Sequence, residues 1–284
     1  MRKLLILVTL AAASSFPQTA ALTQARELYQ KTNYAEALRV LAAIPSKDAA
    51  THLLTGKCQY MNGDFKKATD AIEQALALAP KSPEQYLWLG RAYGRRAETS
   101  SFVTAPGLAS KARTNFEKAV ALDPGNKDAV SDLLEYYLEA PALLGGGLDK
   151  ALALAEKMKS RDASEYEDLL ARISDKKKDY GGVEAHLRRA VELAPGQAGK
   201  IVELAKFLAR QRKFQESDEV FARAQKMAPD EAGVIFERAK TYVQSKRNLD
   251  AARQLLTRYL SLPLTPDDAP RSEAEQLLKR AGSG

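Results

Sequence analysis

One interval constrains this chain more than any other property. Gly56 is followed by Gly90 after 34 residues, and the endings Leu193-Ala194-Pro195 and Met227-Ala228-Pro229 place their prolines at the same interval. Leu78-Ala79-Pro80 and Leu122-Asp123-Pro124 are earlier copies of that ending. A period of this length means one small supersecondary unit repeated in a stack, because a lone unit of that size cannot bury its own apolar face. Proline closes each unit because it cannot continue a helix.

Aligning the units shows what recurs inside them. A small residue stands in the middle of each first helix, at Ala25, Gly56, Gly90, Ala171, Ala205 and Ala239, with Leu134 as the departure. A polar-aromatic pair marks the turn, at Asn33-Tyr34, Asp64-Phe65, Asp179-Tyr180 and Lys213-Phe214. Second helices carry their own small residues at Ala37, Ala68, Ala112, Ala151, Ser217 and Ala252. In these residues and this period the chain resembles the tetratricopeptide repeat (TPR) family, over nearly all of its length. The resemblance implies an all-α, right-handed superhelical solenoid of about seven helix-turn-helix units. They begin near residues 18, 49, 83, 127, 164, 198 and 232, and a capping helix over 271–280 follows.

The first 21 residues read differently. Met1-Arg2-Lys3 is a basic start, Leu4 to Ala13 is apolar or small, and Ser14 to Ala21 suits a cleavage region. That three-part pattern predicts a signal peptide over 1–21, cut before Leu22, and hence a periplasmic or secreted protein with its solenoid over 22–284. No later segment is apolar enough for a membrane span. The formal charge of +7, or +5 without Arg2 and Lys3, is spread along the chain and does not call for nucleic acid. Cys58 is the single cysteine, so no internal disulfide forms.

Two units depart from the period between their helices. Extra residues fall at 97–106 (AETSSFVTAP) and within 140–150 (APALLGGGLDK). Turns of adjacent units share one edge of such a solenoid, so both insertions are expected to form a lip there. This block is similar to exported bacterial TPR proteins that carry an Ala-Pro and triple-glycine loop.

Chemistry is sparse. The two histidines, His52 and His186, fall in different units, and neither HExxH, paired Cys-x-x-Cys nor Gly-x-Ser-x-Gly occurs. Gly145-Gly146-Gly147 is followed by Leu148-Asp149-Lys150, not by the Lys-Ser/Thr that a phosphate loop needs. Cys58, beside the close-packed Gly56, reads as a small buried thiol. The sequence therefore reads as non-enzymatic, with no metal and no cofactor.

The alignment exposes one patterned position. Places 2, 5, 9 and 12 of the first helix share one face, which in TPR solenoids lines the concave groove. Place 9 reads Arg26, Lys57, Arg91, Glu135, Arg172, Lys206 and Lys240, with six of seven basic. Apolar or aromatic residues flank it, among them Leu53, Tyr60, Leu87, Val202 and Phe236. Cations beside apolar shelves suit an acidic peptide or protein segment, so Arg26, Lys57, Tyr60, Arg91, Arg172, Lys206, Phe236 and Lys240 are the expected ligand residues. The asparagines of the family's clamp for chaperone C-termini are replaced by Leu53 and Leu87, so that specificity does not transfer. The expected function is an exported binding scaffold. The alternative is an accessory subunit of an envelope secretion or assembly machine, and a carbohydrate-binding or enzymatic role ranks lower.

Overall fold

The computed structural model describes residues 15–282, with side chains from residue 19. Most of the expected signal segment lies outside the described residues, and Ser15 to Ala21 form the first turns of a helix. The described residues form fifteen α-helices and no strand.

They divide into two compact units, residues 1–80 and 81–284. The first holds two hairpins, α1 (Ser15–Gln30) with α2 (Tyr34–Ala42) and α3 (Ala49–Met61) with α4 (Phe65–Leu78). The second holds five more. They pair α5 (Pro83–Glu98) with α6 (Ala105–Leu122), α7 (Lys127–Glu139) with α8 (Leu148–Glu156), and α9 (Ala163–Lys176) with α10 (Tyr180–Leu193). Then come α11 (Ala198–Arg210) with α12 (Phe214–Met227) and α13 (Ala232–Ser245) with α14 (Leu249–Ser261), before a closing helix α15 (Arg271–Gly282). Seven helix pairs and a last helix agree with the fold expected from the period.

Local chemistry sets the helix starts. Asp48 accepts from the Thr51 amide at 2.8 Å, Asn126 from Ala129 at 3.0 Å and Asp162 from Glu165 at 2.9 Å. Each such N-cap satisfies an otherwise orphaned donor and contributes about 1 kcal/mol. In five of the seven pairs the turn carries a residue at left-handed φ, Thr32 (57°), Gly63 (81°), Lys178 (59°), Arg212 (60°) and Lys246 (55°), and the last of these turns adds Asn248 (48°). Glycine takes that conformation freely, and other residues take it at a cost of about 1 kcal/mol.

Packing within a pair is closest at the small residue of the first helix. A Cβ on Gly56 would stand 2.4 Å from Ile72 Cγ1, and one on Gly90 would stand 2.6 Å from the Phe116 ring. Ala25, Ala205 and Ala239 are fully buried at the same place, and so is Leu134. Buried Ser217 donates its hydroxyl to the Ala205 carbonyl at 2.8 Å, tying α12 to α11. Cys58 is fully buried, and burial pushes its thiol up to about 12, so it is an inert packing residue.

The insertions differ from simple loops. Ala97 and Glu98 extend α5, and Ala105 and Pro106 begin α6, so only 99–104 remain as turn. Alanine favours the longer helices, and proline is accepted in a first turn. The second insertion is packed against α6. Arg113 Nη1 donates to the Leu144 carbonyl at 3.1 Å, and the Tyr136 hydroxyl donates to the same oxygen at 2.9 Å. Gly145 sits at φ 88°, and a Cβ there would overlap Arg113 Nη1 at 1.7 Å. On Gly146 it would meet the Ala140 carbonyl at 1.8 Å. The triple glycine is thus what lets this loop lie on its neighbour.

Candidate functional site

Within the second compact unit a groove of about 1180 Å³ runs across four consecutive first helices. α7 supplies Ser131 and Glu135. α9 supplies Glu165, Asp168, Arg172 and Asp175, α11 supplies Glu203, Lys206, Phe207 and Arg210, and α13 supplies Glu237, Lys240 and Gln244. Arg212 and Arg247, from the turns, and Phe214, which begins α12, also line it. The repeat itself builds this site, because side chains three and four apart on each first helix face the same way.

Of the place-9 cations, Arg172, Lys206 and Lys240 line this groove and Arg91 does not; all four have their charges engaged. Arg91 bonds Asp132 at 2.5 Å and Asp128 at 3.3 Å, both on the next first helix. Arg172 reaches back to Ser131 Oγ at 2.7 Å and Glu135 at 3.4 Å. Lys206 pairs with Glu203 at 2.8 Å and with Glu237 of the following hairpin at 3.3 Å. Lys240 pairs with Glu273 of the closing helix at 2.9 Å and lies over the Phe236 ring. The row is a lattice of ion pairs between neighbouring hairpins. Adding the matching acids to the stripe makes the groove lining balanced, six acidic side chains against six basic.

The expected apolar shelves are mostly core. Phe236 is 2% exposed and packs against Tyr259 at 5.0 Å between ring centroids. Leu53, Leu87 and Val202 are likewise buried. Apolar surface at these places is worth more between helices than in the groove. In the first compact unit Arg26 is exposed, Lys57 is half-buried, and half-buried Tyr60 lies edge-on to Phe65 at 5.4 Å.

Two acids of the groove lining, Glu165 and Asp168, belong to a group that the alignment passed over. Lys200, 8% exposed, donates to Glu165 at 2.8 Å and also to Asp168. Burial pushes the Asp168 carboxyl up to about 6, with Lys200 pulling down and Glu165 and Glu203 pushing up. Its Oδ1 is buried without a hydrogen-bond partner. Place 5 is apolar in most units, so the signal was an aspartate where Leu22, Leu53, Leu87, Val202 and Phe236 stand elsewhere. His186 Nδ1 lies 2.7 Å from Glu167, and His52 is half-buried on α3. No group of metal-ligating side chains occurs among the described residues, and no described helix is long and apolar enough to cross a membrane.

Comparison with known proteins agrees with this geometry. The family model described as Tetratricopeptide repeat matches residues 22–83 and 202–269. No curated protein matches the chain at a significant level. Among solved structures, a thermophilic TPR protein of Thermus thermophilus is 20% identical, with TM-score 0.53, covering 67% of this chain and 98% of its own. A tetratricopeptide repeat protein from Parabacteroides merdae is 14% identical, with TM-score 0.57, covering 94% of this chain and 100% of its own. With the period, the close-packed small residues and the paired helices, these matches show that the chain carries tetratricopeptide repeats, matched by the family model over residues 22–83 and 202–269 and sharing the fold of the solved TPR proteins.

Proposed function

We propose that the protein is an exported, non-catalytic scaffold that holds a segment of a protein partner in the groove of its second compact unit. The observation that carries this reading is the groove itself. It is open, about 1180 Å³, and built from equivalent faces of four successive first helices, the kind of site that recognises an extended or helical segment. A TPR fold implies a protein-interaction scaffold. The basic, apolar and small-residue order of residues 1–21 supports export. Service as an accessory subunit of an envelope assembly is one form of the same role.

Site-specific photocrosslinking in the producing cell tests it. A crosslinking residue in place of Gln244, exposed in the groove, should give a discrete protein adduct. The same residue in place of exposed Arg223, on α12, should give none. Adducts from Arg223 and not from Gln244 would refute the reading.

A further inference from the structure

We propose that the turns ending α9, α11 and α13 form a docking strip for an acidic polypeptide segment, through Lys178, Arg212 and Lys246. The inference rests on the groove being the protein-binding face and names the chemistry of what it holds.

The three residues are structurally equivalent. Each takes left-handed φ just after its first helix, at 59°, 60° and 55°, and is followed by an amide that closes back on the helix, Asp179 on Ser174, Lys213 on Leu208 and Arg247 on Tyr242; the last turn adds a second left-handed residue, Asn248. The same place holds uncharged Thr32 and Gly63 in the first two hairpins. Glycine is the residue this conformation favours, yet three consecutive hairpins carry a cation there. All three side chains are exposed, and none makes an ion pair or hydrogen bond among the described residues.

Their neighbours behave differently. Lys176 pairs with Glu139, Arg210 with Asp175 and Arg247 with Asp218, each at 3.0 Å. Helix C-termini attract cations, but Lys176 and Arg210 already stand in the last turns of α9 and α11. So the turns hold an inner set of cations that ties hairpin to hairpin and an outer set with nothing to bind. Because the inner pairs bridge successive hairpins, the outer cations recur once per hairpin, about 10 Å apart. An extended chain covers that distance in about three residues.

The strip borders the groove, since Arg212 lines it together with Gln244. The side-chain amides of half-buried Gln211 and exposed Gln244 make no hydrogen bond among the described residues, and they offer a donor and an acceptor to a peptide main chain. That pairing favours a polypeptide over a lipid headgroup or a nucleic acid, each of which asks chiefly for cations. The attraction should speed association and weaken with salt.

The test is fluorescence anisotropy on the full chain. The probe is a labelled peptide of about 15 residues, long enough to pass three hairpins, with Glu at every third place. Its twin carries Gln instead. The variant Lys178→Gly, Arg212→Gly, Lys246→Gly removes the charges in the conformation glycine prefers, and thermal melting confirms that it folds. The wild type should bind the Glu peptide, discriminate against the Gln twin and lose affinity with salt, and the glycine variant should bind about tenfold more weakly or worse. Equal binding by the variant overturns the proposal, as does no binding by the wild type. Tighter binding to phosphatidylglycerol vesicles or to a single-stranded oligonucleotide also overturns it. A Gln244 adduct alongside equal binding by the variant would sink the strip and leave the groove standing; loss of that adduct would remove the groove as well.

Discussion

Arg91 and Asp132 meet at 2.5 Å although 41 residues separate them, and both side chains are 23% exposed. Burial works against the Arg91 charge, but Asp132 and Asp128 override it and its pKa stands above the ordinary value. The Asp132 carboxyl is pushed up by burial and pulled back by Arg91, ending above the ordinary carboxylate range. Neither charge is comfortable alone at this depth. The same logic runs through Lys206 with Glu237 and Lys240 with Glu273: a cation on one first helix is held by an acid on the next first helix or, at the end, on the closing helix.

Removing both partners should therefore cost less than the two single removals summed. Arg91→Ala is expected to destabilise the chain by about 2–4 kcal/mol, because it strands a buried carboxylate. The double variant Arg91→Ala, Asp132→Ala should fall short of the summed single effects by about 1–3 kcal/mol. Urea unfolding of the full chain measures both. Additive effects would mean that the pair does not couple these hairpins.

The close approach at Gly90 gives a second expectation with a built-in control. Gly90→Ala gains about 1 kcal/mol of helix propensity but drives a Cβ to 2.6 Å from the Phe116 ring, which is itself buried. Overpacking should win, for a net loss of about 1–2 kcal/mol. Gly94→Ala, with nothing within 4 Å of its Cβ, should stabilise by about 0.5–1 kcal/mol. Thermal melting of the two variants should show shifts of opposite sign.

How much of this could be read from the order of residues depends on the range of the interaction. Gly56, Gly90 and Ala205 announce the close-packed contacts because the repeat copies them, and Pro141 marks the end of α7 where the helix stops. The row of cations at place 9 was visible for the same reason. Its pairing was not. Asp132, Glu237 and Glu273 lie in the following hairpin or the closing helix, and nothing local to Arg91, Lys206 or Lys240 points to them. Phe236 reads as a groove residue by periodicity and becomes core because Tyr259 covers it. Lys178, Arg212 and Lys246 escaped the alignment because it stopped at the polar-aromatic pair. The residue just before that pair carries the left-handed turn.

The second insertion should depend on a single side chain. Arg113 holds the Leu144 carbonyl and lies against Gly145, so Arg113→Ala should loosen residues 142–147 without melting the stack. Limited proteolysis is expected to cut the variant there at a rate the wild type does not match. An unchanged pattern would show that Tyr136, which donates to the same oxygen, suffices.

Acidity should act through Asp168. Its carboxyl titrates near 6, against an ordinary value of 3.8. Between those values the folded chain keeps a proton that the unfolded chain has released. Stability should therefore fall as pH rises through that window and level off above it. In Asp168→Asn this part of the slope is expected to vanish. Melting temperatures of both proteins from about pH 4 to about pH 7 give the comparison, and parallel curves would contradict the assignment.

The claim on which the functional reading rests is that the first-helix groove is the face that holds the partner. Hydrogen exchange resolves it helix by helix, using the full chain with and without the partner captured through Gln244. Slowed exchange confined to α7, α9, α11 and α13 and to the turns that follow the last three is the expected result. Slowed exchange on α10, α12 and α14, with the first helices unchanged, would contradict it.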